Sequence, residues 1–64
     1  MNKTSEFKRI WYAGERELSA LNYRYKRAFV NAHTPRQIVI INKAYDTKKA
    51  EIERRRIEAL KGLA

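Results

Sequence analysis

Arg9, Tyr12, Arg16, Ser19, Tyr23 and Lys26 recur every three or four residues, and Arg24 and Arg27 flank the end of the series. On an α-helix that spacing forms one stripe. From Arg9 to Lys26 it covers about 25 Å at 1.5 Å per residue. Cations alternating with phenol rings are equipped to follow a phosphate backbone, with the rings stacking on bases or the hydroxyls reaching phosphates. The same pattern also describes a solvated helix face whose tyrosines lie over arginine stems. The densest mixture of the two residue types is Asn22-Tyr23-Arg24-Tyr25-Lys26-Arg27-Ala28-Phe29.

Other chemistry finds little material. The chain has one histidine, His33, and no cysteine, which argues against a zinc thiolate site, a disulfide framework or a Ser–His–Asp triad. There is no Gly-rich phosphate loop, nucleophile elbow, HExxH motif or metal-spaced carboxylate set. The sequence therefore predicts no catalytic residue, no metal, no cofactor and no small-molecule substrate. Tyr12, Tyr23, Tyr25 and Tyr45 are better suited to packing or surface stacking than to acid–base work, and His33 reads as a neighbour of a helix cap. The expectation is a non-enzyme.

Sixty-four residues carry 15 Lys/Arg against 7 Asp/Glu, a formal charge of +8. The length allows one small domain (1–64), and chains of this size bury only about 60% of the surface exposed on unfolding. Leu, Ile, Val and Phe number 14, barely enough for a charged chain to fold, so their placement decides the matter. Phe7, Trp11, Gly14, Leu18, Leu21, Tyr25, Ala28 and Ala32 follow alternating spacings of four and three. That is the seam of a helix packed lengthwise on another helix. Thr4 or Ser5 is the expected N-cap. Gly14 marks either a close contact between helices or a break.

Thr34-Pro35-Arg36-Gln37 carries the signature of a capping box with proline at the first helical position. The fold predicted is all-α: an antiparallel two-helix hairpin, about 5–31 and 35–61, with short flexible termini. Residues whose numbers sum to about 66 should face each other, setting Tyr25 by Ile41, Leu21 by Tyr45, Gly14 by Ile52 and Trp11 by Arg55. Lys48 should lie by Leu18, with Glu15 and Glu17 close enough to hold it or Lys49. Glu51 is spaced to pair with Arg54 and Arg55 along the second helix.

Ile38-Val39-Ile40-Ile41 is apolar all round the helix and sits opposite Phe29 and Val30. One partner helix covers only one side of such a segment. The expected protein interface is therefore Phe29, Val30, Ile38, Val39 and Ile40, covered by a homodimer that makes a four-helix bundle or by another protein. The alternative is scattered exposed hydrophobes.

Two functions compete. The first is a small basic accessory or regulatory protein that binds a DNA or RNA backbone through Arg9, Tyr12, Arg16, Tyr23, Arg24, Lys26 and Arg27. The second is an adaptor or inhibitor that docks on an acidic protein through the apolar patch, its charge steering association. A short, cysteine-free basic chain resembles phage or mobile-element accessory factors in length and composition. No secretory leader or spanning segment is apparent, so a cytoplasmic location is expected. No wide apolar face remains for a membrane surface.

Overall fold

The computed structural model describes residues 3–63, and the chain forms two α-helices, α1 (Lys3–Asn31) and α2 (Pro35–Lys61). They run antiparallel and pack along their length as a hairpin. No strand occurs among the described residues. Helix α1 passes through Gly14 without a break. It begins at Lys3, so Thr4 and Ser5 lie inside the helix rather than capping it. The expected flexibility at residues 1–2 and 64 lies outside the described residues.

The turn forms as its chemistry requires. Thr34 adopts extended backbone angles, φ −132° and ψ 152°, and its Oγ1 accepts from the Gln37 N–H at 3.1 Å. Gln37 Oε1 reaches back and accepts from the Thr34 N–H at 3.2 Å and the His33 N–H at 2.7 Å. Three amide donors at the exposed end of a helix are thus satisfied by two side chains. Pro35 follows as the first helical residue, where its missing N–H costs nothing. His33 itself is exposed, as a cap neighbour should be.

The register differs from the simple expectation. Trp11 meets Arg56 rather than Arg55, and Tyr25 packs edge-on against Tyr45. Partner numbers sum to 67 for Trp11 and Arg56 and to 72 for Glu17 and Arg55. The direction of the shift has a geometric cause. Helical side chains lean toward their own N-terminus, so a given spot is covered by a residue about one position later. In an antiparallel pair both helices contribute that offset, and long arginines extend it.

The Cα trace measures 51 × 16 × 8 Å, a slab one helix thick. Such a shape encloses almost nothing. Leu21 at 8% exposure and Ile52 at 9% are the buried hydrophobic residues among those described. The seam frays toward both ends, where Phe7 and Ile38 stand 46% and 45% exposed.

Candidate nucleic-acid interface

The residues of the cation–tyrosine stripe are all exposed: Arg9, Tyr12, Arg16, Tyr23, Arg24, Lys26 and Arg27. Helical spacing sets most of them on the side of α1 turned away from α2. They do not form one uniform surface. Arg9 Nη2 donates to Glu6 Oε2 at 2.5 Å, one turn back on the same helix. Arg24 turns toward the seam and lines a hollow with Glu17, Ala20, Leu21 and Ile52. Tyr23, Lys26 and Arg27 come together with Val30 and Asn31 around a shallow depression of about 310 Å³. Among the described residues, Tyr23 makes no hydrogen bond and stacks on no other ring.

The other cation-rich part, in α2, is used differently. Arg56 lies over the Trp11 ring at 3.8 Å and its Nη1 donates to Glu15 Oε1 at 2.8 Å. Its side chain is only 12% exposed. The space for it comes from Gly14. A Cβ built there would stand 2.6 Å from Arg56 Cδ, so Gly14 makes room for an arginine, and Ile52 lines the same hollow. Phe7 stacks beside Trp11 with ring centroids 6.1 Å apart. Arg55 donates to Glu17 Oε2 at 3.1 Å. Glu15 and Glu17 therefore hold Arg56 and Arg55 rather than Lys48 or Lys49. No ion pair forms at Glu51 among the described residues, since Arg55 is drawn across the interface instead.

Tyr45 donates from its hydroxyl to Asn22 Oδ1 and meets Tyr25 edge-on, with centroids 5.6 Å apart. These two tyrosines hold the helices together. The two on the outer face, Tyr12 and Tyr23, are left open at 58% and 71% exposure.

The apolar residues expected to form an interface near the turn are exposed one by one. Val30 is 75% exposed, Val39 55% and Ile40 59%, while Phe29 is half-buried against the seam. No cluster of three or more His, Cys, Asp or Glu side chains able to hold a metal ion occurs among the described residues. No helix among them is long and apolar enough to cross a membrane.

Sequence reasoning missed Arg36 and Lys43. Neither belongs to a stripe on α1, yet the hairpin returns both to the end that carries Tyr23, Lys26 and Arg27. The signal was available in the sequence: no acidic residue stands anywhere between Glu17 and Asp46. No protein family, curated protein or solved structure matches this chain.

Proposed function

We infer that this chain is a non-catalytic nucleic-acid-binding protein that contacts the phosphate backbone through the outward face of α1. One observation carries the reading. Arg9, Tyr12, Arg16, Tyr23, Lys26 and Arg27 are exposed together on the side of α1 that α2 does not use, on a chain of net charge +8. Arg24 flanks that face. Cations so placed displace counterions from a phosphate chain, which gives affinity that is tolerant of sequence and falls steeply with salt. The role that suits so small a binder is accessory or regulatory. Binding of the full chain to DNA and RNA, measured across a salt series, should show a linear loss of log affinity with log salt. Absence of binding even at low salt overturns the reading.

A second copy fits the same account. The slab buries little more than Leu21 and Ile52, and chains this short usually need a further source of stabilisation. Two slabs stacked as a four-helix bundle would cover apolar residues on one flat side and leave the outward faces of α1 open.

A second reading has its own observation, the exposed Val39 and Ile40 of α2 close to the turn. Apolar side chains ringed by cations suit docking on an acidic protein, with charge directing the encounter. Val39→Ser with Ile40→Ser should weaken such docking and leave nucleic-acid affinity intact. Loss of nucleic-acid affinity in that double variant would assign the patch to the first function instead.

A further inference from the structure

The carboxylates of this chain are unevenly distributed, and the hairpin turns that into a spatial difference. Residues 18–45 hold Arg24, Lys26, Arg27, Arg36 and Lys43 and no Asp or Glu. The turn at residues 32–34 doubles this interval back, so its cations gather at one end of the slab. Outside that interval Glu6, Glu15 and Glu17 each hold an arginine. A polyanion approaching the molecule meets unopposed positive charge at the turn end.

At that end lies the depression of about 310 Å³ lined by Tyr23, Lys26, Arg27, Val30 and Asn31. Tyr23, Lys26, Arg27 and Val30 are spaced i, i+3, i+4 and i+7, so they share one helical face. Tyr23 is 71% exposed, and Val30, about two turns along the helix, is 75% exposed. Duplex DNA presents phosphates, sugars and base edges to such a face, while its base planes are hidden in the stack. Only an unpaired strand offers base planes to an open ring, together with phosphates for the cations beside it. An apolar wall beside the ring suits the face of an unstacked base.

We propose that the Tyr23–Lys26–Arg27 depression is a base-stacking subsite, and that through it the chain prefers single-stranded nucleic acid to duplex. This rests on the nucleic-acid reading above. Tyr23 supplies the stacking platform, Lys26 and Arg27 hold the flanking phosphates, and Val30 closes the apolar side. The Asn31 amide is placed to hydrogen-bond a base edge.

The test compares a dye-labelled oligothymidine with the same strand annealed to oligoadenosine, at one salt concentration, using the full chain. Circular dichroism confirms that each variant keeps its helices. The expected result is tighter binding of the single strand. Tyr23→Ala should weaken that binding on the order of tenfold, the usual loss when one stacked base loses its aromatic partner. It should leave duplex affinity unchanged, and Tyr23→Phe should restore single-strand binding. Equal affinity for the two probes, or equal weakening of both by Tyr23→Ala, overturns the proposal while nucleic-acid binding stands. Failure to bind either probe at low salt removes the nucleic-acid reading itself.

Discussion

The two ends of the hairpin use positive charge in different ways. At the end that carries the chain termini, Arg56 is folded over Trp11, seated above Gly14 and held by Glu15. Arg55 is tied to Glu17 across the same interface. Arg56 serves as packing material, its stem and plane covering apolar surface. At the turn end, Lys26, Arg27, Arg36 and Lys43 form no ion pair among the described residues, and Tyr23, Val30, Val39 and Ile40 are exposed near them. A cation with an acid and a ring to hold it belongs to the fold. A cation without them is available to a partner.

The contrast makes unequal stability effects. Ile52→Ala removes one of the two well-buried side chains. It should cost about 2 kcal/mol in urea unfolding, the low end for such a truncation, because an open slab collapses readily onto the gap. Ile40→Ala, at 59% exposure, should stay within about 0.5 kcal/mol. A cost above about 1 kcal/mol at Ile40 would mean that the turn patch is covered in solution, and its loss on dilution would assign the cover to a second copy.

A smaller effect tests the packed end. Gly14→Ala should gain about 1 kcal/mol from helix propensity. It should lose about 0.5–1 kcal/mol as the new methyl group pushes Arg56 off Trp11, leaving a net change near zero. In an Arg56→Ala background the gain should return in full. Simple additivity of the two substitutions, measured by the same unfolding experiment, would show that Arg56 is not seated over Gly14.

How much of this was legible in the sequence depends on the length scale of the cause. The turn was fully legible, because Thr34, Pro35 and Gln37 act within four residues of one another and need no distant partner. The continuity of α1 through Gly14 was not legible, since an unbroken heptad seam argued for it and a mid-helix glycine against it. The cross-interface partners were not legible, since they depend on how far side chains lean and reach. Trp11 and Arg56 find each other only because both lean along their helices and Gly14 leaves room. The stripe on α1 was legible as an exposed face from its spacing alone. Its division into a tethered Arg9, a seam-facing Arg24 and a shared depression at Tyr23 needed the packed partner helix. The gathering of Arg36 and Lys43 at the turn end needed only the position of the turn and the absence of acids from residues 18–45.

The most direct measurement compares two triple variants that remove equal charge, one at the turn end and one farther along α2. Arg24→Gln, Lys26→Gln and Arg27→Gln alter the turn end; Lys48→Gln, Lys49→Gln and Arg54→Gln alter exposed positions of α2 beyond it. With single-stranded DNA across a salt series, the first should reduce the slope of log affinity against log salt by about 2, near 0.7 for each phosphate that is no longer neutralised. The second should change it by less than about 1. Equal reductions from both would mean that net charge alone drives binding, and would contradict a dedicated surface at the turn end.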